Sequence, residues 1–415
     1  MKTVIRGVIL KDYLTFKTLA SKTFGVALAL GSGIPIRFAS HFDPAFKNET
    51  RRAECLAAAC AVGVACTFSA PVGGVLFSIE VTTMYFSVRS YWRGFFAACC
   101  GAVTIRLLRG FVVQTEVTVN AFFQTSFAPD AFVVKEIPLF VVLGVICGAL
   151  GALYISFYRT VVLFLRNNER AKALFQRQCF QLDRLPNIRT SCIQHHFFSA
   201  WSRTIFFRKG EYEKEGNPEL KFGMNLKDFF TNCTFSEDPP SFLACNRENF
   251  DHWMDNRESV IALLVIFIIV HFVFSIVCMT LPVPSGVFMP IFVLGAAIGR
   301  LMGEIVAIAL PSGVIEGLNI YPGVYAVVGA ASFSASVTHT VSVSVMIFEI
   351  TGQLHYILPV MLEENINRLN NNVHIQISVL LSNAVCAYMQ PSFFDTIIKI
   401  KHLPFLPDIP PSNNL

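Results

Sequence analysis

The stretch Pro282-Val-Pro-Ser-Gly-Val-Phe-Met-Pro-Ile-Phe-Val-Leu-Gly-Ala-Ala-Ile-Gly-Arg300 decides the fold of this chain. Most of it belongs to residues 259–299, a run without Asp, Glu, Lys or Arg. That run is too long for one membrane span of about 20 residues and long enough for two. Its middle holds residues that break helices, namely Pro282, Pro284, Ser285, Gly286 and Pro290. The sequence therefore predicts two spans with a break between them inside the membrane.

A break at this depth is tolerated only where the backbone is packed in protein or lines a polar cavity. Gly286 allows a ligand to approach the backbone closely, because it has no side chain. A helix that restarts near Phe288 would offer N–H groups and the positive end of its dipole. These features predict an anion site without a cationic side chain. An ordinary Pro-kinked span or a re-entrant packing turn fits the same residues equally well.

The composition is typical of an integral membrane protein. The 415 residues are 53% hydrophobic and 15% charged, with a mean hydropathy of +0.54, whereas globular proteins carry about 25% charged residues. The net charge of +5 is scattered, so we expect no nucleic-acid partner. The twelve cysteines have no metal-site spacing, and the sequence contains no HExxH, GxSxG or Walker motif. We therefore expect neither an enzyme nor a cofactor.

A second break is predicted in the first half of the chain. Residues 55–79 are uncharged and are interrupted by Ala70-Pro-Val-Gly-Gly74 before Glu80. We interpret Glu80 as a structural cap or partner in preference to part of an ion path. Broken helices in both halves are typical of transporters and channels that are built from repeats.

Two further regions complete the pattern. Residues 137–158 predict a conventional span in which Gly144, Gly148 and Gly151 favour close helix contact. Residues 166–258 are rich in charge and predict a soluble insert or connector. Within it Asn232 begins a glycosylation sequon, and Cys233 and Cys245 could form a disulfide in an extracellular setting.

Several motifs resemble those of the CLC family of chloride channels and transporters. Gly286-Val-Phe-Met-Pro290, followed by Gly295 and Gly299-Arg300, resembles its GxFxP motif. Further similar stretches are Ala70-Pro-Val-Gly-Gly-Val-Leu-Phe-Ser-Ile-Glu80, Tyr91-Trp-Arg-Gly94, Gly329-Ala-Ala331, Thr338-His-Thr340, Phe348-Glu-Ile-Thr-Gly352 and Gln390-Pro-Ser392. The resemblance covers residues 1–407 apart from most of 167–255 and part of 362–376. The spacing is most similar to the animal plasma-membrane branch of the family.

The resemblance implies an all-α polytopic membrane protein built from two inverted repeats of tilted, broken helices. It implies a dimer with one pore in each subunit, passive voltage-gated transport of chloride, and anions held at helix N-termini. The anion-binding residues would be Gly286, Val287, Phe288 and Pro290, together with Phe394 at the place of the family's pore tyrosine. No cofactor is implied.

The resemblance also divides the chain into four parts. Residues 1–165 would be the N-terminal part of the transmembrane domain, 166–258 the divergent connector, 259–405 its C-terminal part and 406–415 a tail. Lys399, Lys401 and His402 follow the last apolar segment, which favours a cytoplasmic C-terminus.

Val81 distinguishes a channel from an antiporter within this resemblance. Proton-coupled members carry a second acid after the glutamate that matches Glu80, and here that position is apolar. We therefore expect a channel. A chloride/proton antiporter remains an alternative, as does a non-conducting partner that dimerises with a full-length relative.

The chain departs from the family pattern at several places. The GSGIPE motif would stand before Met1, and Gly31-Ser-Gly-Ile-Pro35 resembles a later motif of the family. The GKEGP motif with its gating glutamate is missing where Ile36 runs directly to Arg37. The pore hydroxyl is lost at Phe394, and residues 362–376 resemble an insertion. We therefore expect an incomplete form, such as a fragment, splice variant or imperfect gene model, that does not conduct chloride normally alone.

Overall fold

A computed structural model describes residues 49–82, 88–112, 125, 136–168, 226, 228–231, 233–235, 260–280, 286–310, 320–352 and 366–402. The junction at residues 36–37, Asn232, Cys245 and most of the predicted connector lie outside these ranges. The described residues contain ten α-helices: α1 (Glu49–Phe68), α2 (Pro71–Thr82), α3 (Val88–Val112), α4 (Ile137–Asn167), α5 (Val260–Thr280), α6 (Phe288–Ala309), α7 (Pro322–Thr338), α8 (Val343–Thr351), α9 (Ile366–Met389) and α10 (Phe393–Ile400).

Four helical stretches within these ranges are long and apolar enough to cross a membrane. They are Ile137–Asn167, Val260–Thr280, Phe288–Ala309 and Gln376–Ile400. The predicted all-α polytopic membrane fold is therefore confirmed, since its apolar runs are helices of spanning length.

Both predicted helix breaks occur. α1 ends at Phe68, Ser69 has a positive φ of 54°, and α2 begins at Pro71. Proline suits the first position of a helix because its missing N–H would have no partner there. In the other half, α5 ends at Thr280 and α6 begins at Phe288. The uncharged run of residues 259–299 thus forms two helices.

The described helices belong to two compact units. The first contains α1, α2, α3, α8 and α10 from Phe394 onward, and the second contains α4, α5, α6, α7 and α9. The second unit is organised around α7, which is buried along its whole length. A helix that is buried on every side needs small residues on its neighbours, and α6 and α4 both provide them.

Glycines on α6 allow it to lie directly against α7. A Cβ atom built at Gly295 would lie 2.6 Å from the carbonyl oxygen of Gly329, and one at Gly299 would overlap the backbone of Tyr325. Gly303 meets Pro322 in the same way. Any side chain at these positions would push α6 away from the centre of the unit.

The predicted close contact at the glycines of α4 is confirmed. A Cβ atom at Gly144 or Gly148 would lie 2.7 Å from the carbonyl oxygens of Ser378 and Ser382 on α9, respectively. One at Gly151 would overlap Ser336 on α7. The three glycines therefore let α4 pack against two helices at once.

The structure adds detail to two polar regions of the sequence. Residues 366–376, predicted as part of a polar interruption, continue as helix into the rest of α9. Their polar side chains interrupt the apolar pattern of the sequence, but their backbone is helical. The described part of the predicted soluble connector, within residues 226–235, is packed into the second unit, where Leu226, Phe229 and Phe235 are completely buried.

Candidate functional site

The start of α6, residues 286–290, brings four of the predicted site residues together. Val287 is the N-cap, Phe288 is the first helical residue, and Pro290 completes the first turn. The hydrogen bond from the N–H of Ile291 to the carbonyl oxygen of Val287, at 3.3 Å, belongs to this turn. Pro290 has no N–H to offer. The amides of residues 287–289 therefore precede the intrahelical ladder, at the positive end of the helix dipole.

The side chains at the α6 start do not neutralise this end. Val287 has no polar atom with which to cap the helix, and the first turn of α6 contains no acidic residue. Val287 is buried, and Phe288 and Pro290 are half-buried. The backbone amides thus lie in a largely apolar setting, where an anion would interact with them more strongly than in water.

Gly286 is the open position of the α6 start. Its backbone is exposed, and a Cβ atom built there meets no atom within 4 Å among the described residues. This glycine is therefore not required for helix packing, in contrast to Gly295, Gly299 and Gly303 further along the chain. The space beside it allows a ligand to reach the backbone, as the sequence predicts.

Three side chains hold the α6 start in place. The His271 Nε2 atom on α5 lies 3.1 Å from the carbonyl oxygen of Pro290. The ring of Phe292 stacks on that of Phe288, with centroids 6.1 Å apart and planes 14° apart. Phe230 lies edge-on to Phe292, with ring centroids 5.9 Å apart. The predicted site is therefore braced from α5, from its own helix and from the segment that contains Phe230.

A buried ion pair lies further along α6. Arg300 and Glu304 are 0% and 2% exposed; the Glu304 Oε1 atom accepts a hydrogen bond from Arg300 Nε at 3.0 Å, and Arg300 Nη2 lies 2.9 Å from the same oxygen. Removing two charges from water is costly unless each is fully hydrogen-bonded. Further hydrogen bonds to this pair come from Phe229, Thr231, Cys233 and Phe235.

This segment wraps around the guanidinium group of Arg300. The Arg300 Nη1 atom donates to the carbonyl oxygens of Phe229 at 3.0 Å and Thr231 at 2.9 Å, and the Arg300 Nη2 atom donates to the carbonyl oxygen of Cys233. The N–H of Phe235 donates to Glu304 at 3.2 Å, and its ring lies 4.0 Å from the guanidinium carbon. Cys233 is also disulfide-bonded, with a partner outside the described residues. Arg300 thus fixes this segment to α6.

The sequence prediction missed the roles of His271, Arg300 and Glu304. Opposite charges four residues apart in an otherwise apolar helix, and a single histidine within an apolar span, are signals that each side chain has a specific buried partner. His271 and Arg300 bind backbone carbonyl groups, and Glu304 accepts from the N–H of Phe235 as well as from Arg300. No local pattern identifies these backbone partners.

Val81 and Glu80 lie at the end of α2, in the first unit. Glu80 accepts hydrogen bonds from the N–H groups of Val341 at 2.9 Å and Ser342 at 3.0 Å, and from the Ser342 hydroxyl at 2.6 Å. The preferred interpretation of Glu80 as a structural cap is therefore confirmed. Val81 beside it is half-buried and apolar.

Glu349 performs the reciprocal role on α8. Its carboxylate accepts hydrogen bonds from the N–H groups of Val72 at 3.1 Å and Gly73 at 2.7 Å, in the first turn of α2. The helices α2 and α8 therefore each supply a carboxylate to the start of the other. A Cβ atom at Gly73 would overlap the backbone of Met346, which shows how closely the two helices approach.

Phe394 lies in the first turn of α10 and is half-buried. Its neighbour Phe393 is buried, with its ring centroid 4.7 Å from that of Tyr158 on α4. Successive helical residues point about 100° apart, so Phe394 takes a different direction from this anchored ring. Val81 and Phe394 belong to the first unit, and residues 286–290 belong to the second.

The described residues contain no group of three His, Cys, Asp or Glu side chains that could hold a metal ion. The functional groups of the α6 start are instead backbone amides.

Comparisons with known proteins agree on one family. A model of the voltage gated chloride channel family matches residues 1–363. The chain is 45% identical over its whole length to chloride channel protein clh-3 of Caenorhabditis elegans and 44% identical to chloride channel protein 2 of Drosophila melanogaster. It covers 42% and 34% of these two proteins, and therefore spans less than half the length of the curated relatives it matches.

Solved structures give the same result. A eukaryotic CLC transporter, 25% identical, matches 97% of this chain with a TM-score of 0.61, and the match covers 60% of that structure's chain. A slow cyanobacterial Cl⁻/H⁺ antiporter, 14% identical, matches 91% of this chain with a TM-score of 0.56 and 70% of its own chain. The second likeness concerns the fold alone.

Proposed function

Because the chain belongs to the voltage gated chloride channel family, we propose that it supplies transmembrane helices of a voltage-gated chloride channel. Chloride binds at the α6 start through backbone N–H groups, with Gly286, Val287 and Phe288 lining the site and Pro290 shaping its turn. The observation that carries this proposal is that, among the described residues, no side chain caps the start of α6 and none fills the space beside Gly286. A helix start of this kind attracts anions.

A chimera tests this assignment in a complete pore. Residues 259–310 of this chain replace the matching segment of the C. elegans relative, and chloride currents are recorded from Gly286→Ala and Gly286→Leu variants. Leucine fills the open space that alanine only narrows, so conductance falls and the order of anion permeabilities changes more in the leucine variant. Ile305→Ala, at a 42% exposed position on the same helix, is the control. It should leave the conductance and the order of anion permeabilities unchanged. Unchanged permeation in Gly286→Leu would count against the site.

The proposed transport mode is a channel rather than a chloride/proton antiporter. Val81 carries no proton, and the carboxylate of Glu80 beside it is occupied by three donors from residues 341 and 342. A proton path through this end of α2 would have to break those bonds. Stoichiometric movement of protons against a chloride gradient would overturn this reading.

The other parts of the chain also have proposed roles. Residues 1–165 and 259–405 are the two parts of the transmembrane domain, 166–258 the connector and 406–415 a cytoplasmic tail. The setting is the plasma membrane, and chloride is the transported ion. We propose no catalytic activity and no cofactor. Phe394 lies near the inner end of the pore without donating a hydrogen bond.

The proposed assembly is a dimer, either with a second copy or with a full-length relative. The internal lack of a GKEGP motif between Ile36 and Arg37 favours a non-conducting form when the chain acts alone. Such a form would act through a conducting partner. Co-expression with the C. elegans relative and isolation of mixed dimers by two affinity tags tests this role. Recovery of only unmixed dimers would exclude it.

A further inference from the structure

His271 is a buried polar residue outside the proposed chloride site at residues 286–290. It lies within α5, a helix otherwise composed almost entirely of apolar residues, and is 2% exposed. Burial of a titratable ring inside an apolar span is costly, so such residues normally serve a specific partner. The partner here is the carbonyl oxygen of Pro290, 3.1 Å from the Nε2 atom.

The direction of this hydrogen bond is fixed by its acceptor. A carbonyl oxygen cannot donate, so the Nε2 atom of His271 carries the hydrogen. The ring stacks on that of Phe267, with centroids 5.5 Å apart and planes 17° apart. Phe267 in turn lies edge-on to Phe229, with ring centroids 5.6 Å apart. The imidazole is therefore held in its plane, and its hydrogen bond has a defined direction.

The bond reaches the α6 start at a structurally sensitive place. Pro290 provides no amide for an anion, and its carbonyl oxygen is tied to the neighbouring helix. The Pro290 carbonyl lies in the peptide group directly after the one that joins Met289 to Pro290. A hydrogen bond to this carbonyl therefore constrains the orientation of the amides of residues 287–289. Misplacement of binding groups by a fraction of an ångström weakens an anion site, because its affinity depends on donors that are already oriented.

We propose that His271 is a positioning residue for chloride, which sets the affinity and selectivity of the α6 start by holding the Pro290 carbonyl. This inference rests on the proposed chloride site at residues 286–290. It adds a residue on a different helix that does not itself contact the anion. A purely structural histidine would change the stability of the protein without changing the ratio between anions.

Anion binding to the purified 415-residue chain tests the proposal. Chloride, bromide and nitrate are titrated calorimetrically into the protein in lipid nanodiscs, and Gly286→Leu is measured alongside. His271→Phe keeps the flat ring and its stacking on Phe267 but removes the donor. We expect chloride affinity to fall about fivefold, the size of one net hydrogen bond, and the ratio of chloride to nitrate affinity to change with it.

Two further variants separate positioning from stability. His271→Gln restores an N–H donor and is expected to recover most of the lost affinity. Ser275→Ala is the matched control, because it removes a buried hydroxyl of α5 that donates its hydrogen to the Phe272 carbonyl oxygen at 3.0 Å and not to Pro290, and it should leave both affinities unchanged. If His271→Phe does not give a monodisperse protein, His271→Met is measured in its place.

The outcomes distinguish this inference from the function on which it rests. Lost binding in Gly286→Leu together with wild-type affinities and ratios in the His271 variant overturns the role of His271 alone. Unchanged binding in Gly286→Leu overturns the chloride site itself. Reduced affinity in His271→Phe without recovery in His271→Gln also counts against positioning through the hydrogen bond.

Discussion

The starts of α2 and α8 are filled by carboxylates, whereas the start of α6 offers its amides in an apolar setting without one. In the first unit, Glu349 accepts from Val72 and Gly73 on α2, and Glu80 accepts from the residues that precede α8. In the second unit, the first turn of α6 contains no acidic residue. Each of these helix starts favours a negatively charged group, because its N–H groups and the positive end of the helix dipole lie there.

The start of a helix can therefore serve two purposes. A helix start that receives a carboxylate from its own chain becomes a closed structural joint, as in the reciprocal pair of α2 and α8. A helix start without one remains available to a small anion from solution. The glycines follow the same division, since Gly73 is enclosed by Met346, whereas a Cβ atom at Gly286 meets no atom within 4 Å among the described residues.

The largest expected effect concerns whether one open helix start is enough for conduction. We predict that the 415-residue chain expressed alone gives no normal chloride current. An anion without donors at each step inside a membrane faces a penalty of many kcal/mol. The GKEGP donors are lacking between Ile36 and Arg37, and Phe394 has no hydroxyl.

Patch-clamp recording in cells without background chloride current, with surface labelling to show delivery, measures this outcome. A large, chloride-selective and voltage-dependent current from this chain alone would contradict it. Such a current would mean that the α6 start needs fewer supporting donors than the comparison implies.

The second prediction converts the open helix start into a closed one. Val287→Asp places a carboxylate at the N-cap, where it accepts hydrogen bonds from the first-turn amides and repels an arriving anion. We expect chloride affinity to fall about 100-fold, because competition and repulsion act together. Titration of the purified chain with chloride measures the change.

Val287→Asn is the matched control for charge. Its side chain caps the helix equally well but is neutral, so the loss of chloride affinity should be clearly smaller than in Val287→Asp. Equal affinities for the wild type and the aspartate variant would show that chloride does not use these amides. The comparison between open and filled helix starts would then have no functional meaning.

The third prediction opens the helix starts that are normally filled. Glu349→Gln removes the charge from a buried cap of α2 and should destabilise the protein by about 2 kcal/mol, since hydrogen bonds to charged groups contribute about 1.5–3 kcal/mol. Glu80→Gln should cost less than about 1 kcal/mol, because Glu80 is exposed whereas Glu349 is buried. Thermal unfolding in detergent, followed by size-exclusion chromatography, gives both midpoints. A larger loss for Glu80 than for Glu349 would reverse the expected order.

The sequence predicted the broken helices because the responsible residues act locally. Pro71 and the proline-rich stretch before Phe288 restrict their own backbone, and the uncharged runs identify which segments enter the membrane. The spacing of Gly144, Gly148 and Gly151 predicted a tight contact for the same reason. The uncapped start of α6 followed from the same local signals.

The partners of the buried polar groups could not be predicted in this way. Arg300 binds carbonyl groups of residues 229–233, about 70 positions earlier in the chain, and His271 binds a carbonyl on the next helix. Carbonyl acceptors have no sequence signature, because every residue carries one. The buried segment around Phe229 was predicted as a soluble connector since its neighbours in sequence are polar, although its own side chains complete a packed unit.

The smallest expected effect adds a donor at the other proposed anion position. Phe394→Tyr is tested in a chimera in which residues 376–402 of this chain replace the matching segment of the C. elegans relative. Tyrosine has nearly the shape of phenylalanine, and Phe394 is half-buried rather than enclosed, so the fold should tolerate the hydroxyl. One new hydrogen bond to chloride is worth about 1 kcal/mol net, which is about a fivefold gain in inner-site affinity.

Phe393→Tyr is the contrasting variant, because its ring is buried against Tyr154 and Tyr158 and an added hydroxyl there should reduce stability without strengthening chloride binding. Block of outward and inward current by a slowly permeating anion measures the inner-site affinity. If Phe394→Tyr leaves that affinity unchanged while the chimera conducts normally, Phe394 does not face the ion, and the α6 start remains the proposed anion site without support from α10.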